Sequence, residues 1–311
     1  MKLLKNILAV RNDRFGEFLL NIPVFYAIKD TFRDSRLTVI VNPDTEPLAK
    51  MIKPINEILT WENRKHSLTE IFRFSRQIKK KQFDACLILN PSQEMNVICF
   101  LAGVPLRAGF DRKCGFLLNK KIKDQKHLAL KHEIDYNLEL AELINAKTGI
   151  INYTINLGDS LVSKDNLIAI HPWTSDPRKQ WPIENFIALA KQCVVKFENK
   201  VIIVGKTNSP ENKLFDNLGE KIKNLTNQTS LEELGLLLKK SRLLISTDSG
   251  PAHLAAAVGT PVIALFRNDL AGKTAKRWGP WGKQHIIIEK DSLGEIKVEE
   301  VLEKIKGLLN R

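Results

Sequence analysis

Cysteine is scarce in this chain: four in 311 residues, Cys86, Cys99, Cys114 and Cys193, with no CxxC spacing and no clustered histidine partners. That excludes zinc ribbons, redox dithiols and a disulfide framework, and makes a reducing cytosol the natural compartment. Aromatic residues are only 7% of the chain and do not interleave with its basic stretches, so a stacking platform for nucleic acid is not expected. No run of 18 apolar residues occurs, which argues against a transmembrane span. The opening MKLLKNILAV is basic and then apolar, but the apolar part ends at Val10, before Arg11. It is too short for the hydrophobic region of a signal peptide and reads as a first strand. Also missing are a Walker lysine loop, GxGxxG, HExxH, any triad spacing and an acidic DxD pair, so no bound cofactor and no metal-held diphosphate are expected.

What is present describes a globular protein: 43% hydrophobic and 27% charged residues, in a length that favours two domains. The net charge of +13 is spread along the chain, with 25 basic and 18 acidic side chains in residues 1–160 and 23 against 17 in the remainder. One segment stands out. Arg107 to Lys131 carries eight cations (Arg107, Arg112, Lys113, Lys120, Lys121, Lys123, Lys126 and Lys131) against Asp111 and Asp124. Such a stretch suits phosphates, anionic lipid or nucleic acid, or is simply a solvated basic loop.

The hydrophobic pattern alternates between strand and helix periods. An apolar strand over Asn6–Val10 leads through the loop Arg11–Gly16 into an amphipathic stretch, Phe18–Phe32, where Pro23 should kink a helix or sit near its first turns. Strands then follow at Leu37–Val41, near Glu57–Leu59 and at Asp84–Leu89, with helices around Pro47–Met51, over Leu68–Lys80, over Met95–Ala102 and in 132–146. After a break of Gly, Asn and Asp the rhythm restarts. Strands are expected at Leu167–Pro172, Val201–Gly205, Leu243–Thr247 and Pro261–Phe266, and helices at Ile183–Phe197, Glu211–Gly219, Leu231–Lys240, Ala252–Val258 and Val298–Leu309. The expectation is two doubly wound parallel-sheet domains, 1–160 and 161–311, with ligands at the C-terminal ends of the strands.

Four polar loops fall at those ends. In the first, Arg11 to Glu17, Gly16 lets backbone approach a ligand, and Asp13 or Glu17 could serve as general base; Glu17 is equally explained as a first-turn acid favoured by the helix dipole. The second, His171 to Pro182, offers the hydroxyls of Thr174 and Ser175 and the cations Arg178 and Lys179 before a helix start, a set suited to a diphosphate; His171 reads equally as a buried imidazole. In the third, Ser246 to His253, Gly250 permits positive φ, Asp248 would accept sugar hydroxyls, and Ser249 and His253 flank a helix start; an ordinary capped helix explains all but His253. In the fourth, Glu211 follows Gly205 and could take both hydroxyls of a ribose.

The R-x-D-x-x-G-[DE] opening, the K-x-W-P loop at Lys179 and the D-S-G-P-A-H-L-A-A-A-V-G-T-P-V-I-A-L-F block from Asp248 resemble glycosyltransferase family 9, the ADP-heptose:lipopolysaccharide heptosyltransferases. Lys131-His132-Glu133 and the Arg277–Gly282 segment extend the resemblance over nearly the whole chain. It implies a GT-B fold, two Rossmann-like domains facing a central cleft, with acceptor on the N-terminal one and nucleotide sugar on the C-terminal one. It also implies inverting, metal-independent transfer of heptose from ADP-heptose to the phosphorylated lipopolysaccharide inner core, by a cytoplasmic monomer in peripheral contact with the anionic inner membrane. Residue by residue, it makes Glu17 the base, where the family usually has Asp, with Asp13 as the nearest substitute. It assigns Thr174, Ser175, Lys179, Asp248, Ser249, Gly250 and His253 to the donor, Glu211 to ribose and Thr229 to adenine. Arg107, Arg112, Lys113, Lys120, Lys121 and Lys123 would meet acceptor phosphates. After Phe266 many members continue G-P-T-D-P, whereas this chain has Arg267-Asn268-Asp269-Leu270-Ala271-Gly272. A family member with another nucleotide sugar or acceptor, and a non-catalytic sugar-nucleotide or anion binder, are the alternatives.

Overall fold

The computed structural model describes residues 4–157 and 165–310. By contacts the chain forms two compact units, Met1–His127 with Lys131–Tyr153, and Leu128–Leu130 with Thr154–Arg311. The boundary expected at 160/161 lies outside the described residues.

The first unit contains β1 (Asn6–Arg11), α1 (Phe15–Leu19), α2 (Ile22–Thr31), β2 (Arg36–Val41), α3 (Glu46–Ala49), β3 (Glu57–Thr60), α4 (Leu68–Lys80), β4 (Ala85–Ile88), α5 (Gln93–Leu101), β5 (Leu106–Phe110), β6 (Lys120–Ile122) and α6 (Glu133–Glu142). Its strands form one sheet in the order β3-β2-β1-β4-β5-β6, all parallel. The second unit contains β7 (Leu167–His171), α7 (Ile183–Phe197), β8 (Lys200–Ile203), β9 (Ile222–Asn224), α8 (Leu231–Lys240), β10 (Leu243–Thr247), α9 (Gly250–Ala257), β11 (Val262–Arg267), α10 (Ala275–Trp278), β12 (Ile286–Lys290) and α11 (Val298–Leu309). Its sheet, β12-β11-β10-β7-β8-β9, is again wholly parallel and has the same topology. Central strands read as continuous apolar runs because both faces are covered: Ile7–Val10 and Leu243–Ile245 have no exposed surface.

In each sheet the strand order reverses between the first and fourth strands, at β1/β4 and at β7/β10. The crevice beyond the strand ends at such a reversal is where doubly wound sheets hold ligands. It is lined here by Arg11–Asp13 and Leu89–Asn90 in the first unit, and by His171–Thr174 and Thr247–Ser249 in the second.

Several expectations are corrected. The stretch 18–32 is two helices, not one, because Pro23 lacks an amide hydrogen and is tolerated only in a first turn; Asn21 precedes the new helix. Glu211–Gly219 is not an α-helix but a 3-10 stretch, Pro210–Phe215, stopped by Asn217 and Gly219 at positive φ. The basic segment is not a solvated loop: it holds β5 and β6. Lys120 and Lys121 hid the edge strand, since cations on an edge erase the apolar alternation. Gly250 stands in the first turn of α9 rather than at positive φ, so its contribution is the missing side chain at the helix start.

Candidate functional site

In the first unit, β1 delivers a buried cation to the sheet's C-terminal edge. Arg11 donates from Nε to Asp13 Oδ1 at 2.7 Å and from Nη1 to the Leu89 carbonyl at 3.2 Å. Its guanidinium also lies 3.9 Å from Glu133 Oε1, and that carboxylate receives Lys126 Nζ at 2.5 Å. Lys126 continues to Asn137 Oδ1 at 3.1 Å and covers the Phe110 ring at 4.4 Å. Two buried cations and two carboxylates thus form one compensated cluster beneath the first loop, which keeps any member from standing as an isolated buried charge. Asn12 and Asn90 tie the loops after β1 and β4 together, Nδ2 of Asn90 donating to Asn12 Oδ1 at 3.2 Å.

Glu17 sits in α1 with its side chain 14% exposed, paired to the solvent-facing Arg14 at 2.5 Å. Burial raises its pKa above the ordinary carboxylate value, and the negative charge of Asp13 raises it further; Arg14 and Arg11 pull the other way. A carboxyl so placed is poised to take up a proton.

Asp13 and Asn12 open onto a cavity of about 1220 Å³ at this sheet edge. One wall is apolar, from Leu68, Ile71, Phe72, Val97 and Leu101; the rim is cationic, with Arg64, Lys65, Arg112 and Lys113. The wall is held by Trp61, stacked between His66 and Phe74 at 4.0 and 4.4 Å. Glu94 fastens it, accepting from Trp61 Nε1 at 3.2 Å and lying 2.8 Å from His66 Nδ1.

Of the basic segment, only Arg112 and Lys113 reach this cavity. Arg107 donates to the carbonyls of Leu117 and Val104, Arg112 pairs with Asp124 at 3.1 Å, and Lys121 pairs with Asp111 at 3.0 Å. Lys120 and Lys123 are exposed outside it.

In the second unit, register brings His171 opposite Ser246. His171 Nδ1 lies 3.1 Å from Ser246 Oγ, which lies 2.7 Å from Ser249 Oγ, the residue before α9. Burial drives the His171 pKa down to about 3, so the ring is neutral and serves as a structural hydrogen-bonding group. Gly205, at φ +115°, passes over the ring. Lys179 and Asp248, 69 residues apart, form an ion pair at the strand ends, their side chains 18% and 11% exposed. His253 is buried in the first turns of α9. Thr174 Oγ1 accepts from the Asp176 amide at 3.2 Å, and Ser175 is exposed. Glu211 is exposed and receives Ser209 Oγ at 3.2 Å; Thr229 is half-buried just before the capping box of α8.

Sequence reasoning missed the brace on this loop. Asp176 accepts from Arg178 at 2.8 Å and from Lys273 at 2.8 Å, and those two cations hold its carboxyl far below the usual carboxylate range. Arg267 adds a bond to the Arg178 carbonyl at 3.1 Å. The segment after β11 is therefore fastened to the Lys179 loop. The D-x-R spacing at 176–178 was a local signal for part of this; the link to Lys273 had none.

Comparison with known proteins fits this arrangement. The lipopolysaccharide core heptosyltransferase OpsX of Haemophilus influenzae is 24% identical, the match covering 98% of this chain and 97% of that protein. Lipopolysaccharide heptosyltransferase 2 of Escherichia coli is 22% identical, with 84% and 82% covered. Among solved structures, the E. coli ADP-heptose lipopolysaccharide heptosyltransferase II matches with a TM-score of 0.81 at 20% identity over 98% of both chains. A family 9 glycosyl transferase from Veillonella parvula matches at 0.87 and 19% identity, over 100% of this chain and 99% of that one. These matches share the GT-B fold of two doubly wound parallel-sheet domains. The model of glycosyltransferase family 9 (heptosyltransferase) covers residues 71–306, and with both parallel sheets carrying polar loops at their reversal points, this chain belongs to that family of glycosyltransferases.

Proposed function

We propose that the protein transfers a heptose from ADP-heptose to the phosphorylated inner core of lipopolysaccharide, with inversion and without a metal ion. The observation that carries this reading is the Lys179–Asp248 pair at the β7/β10 reversal, beside the first turn of α9. A cation held in place at the positive end of the α9 dipole is suited to a leaving diphosphate, and Asp248 to the sugar hydroxyls. Thr174, Ser249, Gly250 and His253 complete the donor surface, with Glu211 and Thr229 towards ribose and base. In the first unit, Glu17 takes the proton from the acceptor hydroxyl as that oxygen attacks the anomeric carbon. The C–O bond to the diphosphate breaks as the new C–O bond forms, and ADP leaves. The cavity beside Asp13, apolar on one wall and cationic at its rim, fits an amphiphilic, phosphorylated acceptor.

The test is a panel of ADP-, UDP- and GDP-sugars with a heptose-deficient core acceptor, in buffer containing a chelator, read by mass spectrometry. Transfer from ADP-heptose alone is expected. The Arg267–Gly272 segment, braced onto the donor loop, favours one specific alternative, another donor sugar, and transfer from UDP- or GDP-sugars would establish it. Donor binding without transfer to any core would overturn the enzymatic reading of this site.

A pH effect follows from the position of Asp13. Its negative charge opposes ionisation of Glu17, so Asp13→Asn lowers the Glu17 pKa and moves the acid limb of kcat/KM to lower pH. Arg11, released from Asp13, pushes the same way. A pH–rate profile of D13N whose acid limb moves upward, or stays still, would remove Glu17 from the role of base.

A further inference from the structure

Helix α4 buries Phe74, Ser75 and Ile78 and turns a different set outward. Leu68 is 85% exposed and Phe72, one turn on, 56%. Around them on the same outer face stand Arg73, Arg76, Lys79 and Lys80, all exposed. Helix α5 packs against α4 and ends in Phe100 and Leu101, both more than two-fifths exposed. Cations lie over these rings: Arg76 is 6.0 Å from the centre of Phe72, and Arg107 is 5.4 Å from that of Phe100. The nearby carboxylates are committed elsewhere. Glu70 pairs with Arg64 and caps α4 through Ser67, and Glu94 holds Trp61 and His66. The four outer cations of α4 have no carboxylate within 4 Å among the described residues.

Large apolar side chains in water beside uncompensated Lys and Arg are the chemistry of a surface that lies in a lipid headgroup layer. We propose that the outer face of α4, with the end of α5, docks on an anionic phospholipid bilayer. Leu68, Phe72, Phe100 and Leu101 enter the headgroup–acyl boundary, and Arg73, Arg76, Lys79 and Lys80 meet lipid phosphates. Leu68, Phe72 and Leu101 also line the cavity at the sheet edge, so the docked face is continuous with the acceptor pocket. A saccharide on a lipid anchor would pass from one to the other without leaving the surface. That continuity rests on the proposed acceptor; the docking face itself does not. The membrane contact then lies on α4 rather than on Arg107–Lys131, where Arg107, Arg112, Lys121, Lys126 and Lys131 already have partners.

Cosedimentation of the full chain with vesicles tests this. Binding is expected to phosphatidylcholine vesicles containing phosphatidylglycerol, to weaken with salt, and to be slight for pure phosphatidylcholine. At about fivefold per cation, R76Q/K79Q/K80Q should bind roughly a hundredfold more weakly, with an unchanged thermal melt. Phe72→Ser should also weaken binding, by loss of apolar insertion. Equal binding to both vesicle types, no binding to either, or a triple variant that binds like the parent overturns the proposal. Transfer to a deacylated, water-soluble core saccharide separates the two readings: turnover without vesicle binding removes only the docking face, and vesicle binding without turnover removes only the proposed reaction.

Discussion

Glu17→Gln is expected to lower turnover by about 10²–10⁴, the range typical of losing a general base, while donor affinity stays near the parent value. Gln keeps the size and the hydrogen-bonding reach of Glu but cannot accept the proton. The stability cost should be small. The lost partner, Arg14, is 74% exposed, so the ion pair contributes little, and removing a largely desolvated carboxylate offsets part of it. Donor affinity should survive because the residues proposed to hold the diphosphate, Lys179 and Asp248, belong to the second unit. Calorimetric donor titration alongside single-turnover rates separates the two quantities. Full turnover in E17Q would transfer the role of base elsewhere, with Asp13 the next candidate. Glu17→Asp, which keeps the carboxylate and shortens its arm by one methylene, should retain a large part of the rate.

The second large effect is structural. Gly205→Ala is expected to destabilise the second unit by about 2–6 kcal/mol, the sum of overpacking at about 1–3 and a disallowed backbone conformation at about 1–3. At φ +115° the residue occupies a region that side chains rarely adopt. An added Cβ would also fall within 2.6 Å of His171 Nε2, closer still to Cδ2, and 3.0 Å from Trp173 Cδ1. Neither ring can yield cheaply. Trp173 is fixed by its Nε1 bond to Thr226 at 3.1 Å and by an edge contact with Phe215, and His171 by Ser246. Movement of His171 would propagate through Ser246 and Ser249 to the start of α9, so donor affinity should fall with stability. A thermal or denaturant melt of G205A within about 0.5 kcal/mol of the parent would show that the loop relaxes freely, contrary to this account.

The alternation of apolar strands with amphipathic helices was legible because each central strand is buried on both faces. Leu68–Lys80, Ile183–Phe197, Leu231–Lys240, Leu243–Thr247 and Val298–Leu309 coincide with the observed elements. The elements that sequence reading missed are β5, the edge strands β6, β9 and β12, and the one-turn helix α10. Four of the five residues of β12 are at least partly exposed and its apolar run is only Ile286–Ile288, while β6 carries two lysines, so neither reads as a buried central strand. The loops that meet at the reversal points were also legible, since a parallel sheet places every such loop at one edge. What the sequence could not carry was pairing at long range. Nothing local links Arg11 to Glu133, Asp176 to Lys273, or Glu94 to Trp61 and His66. The loop over residues 62–67 beside the cavity was hidden for the same reason, its order coming from a carboxylate on another helix.

The position of β1 has a consequence for the order in which the chain can acquire structure. The strand is sixth to eleventh in the chain and yet sits at the centre of its sheet, flanked by β2 and β4. Its register with β4 joins Ile7 to Ala85, and the carboxylate of Asp84 accepts from the Lys5 and Asn6 amides across 79 and 78 residues. One edge of β1 can close early, against β2. The other must stay open on the ribosome until residues 84–88 have emerged, and parallel pairing at that separation is entropically slow. Through that interval the newborn chain exposes one of its most apolar strands, and the same delay recurs in the second unit, where one edge of β7 stays open until β10 has emerged.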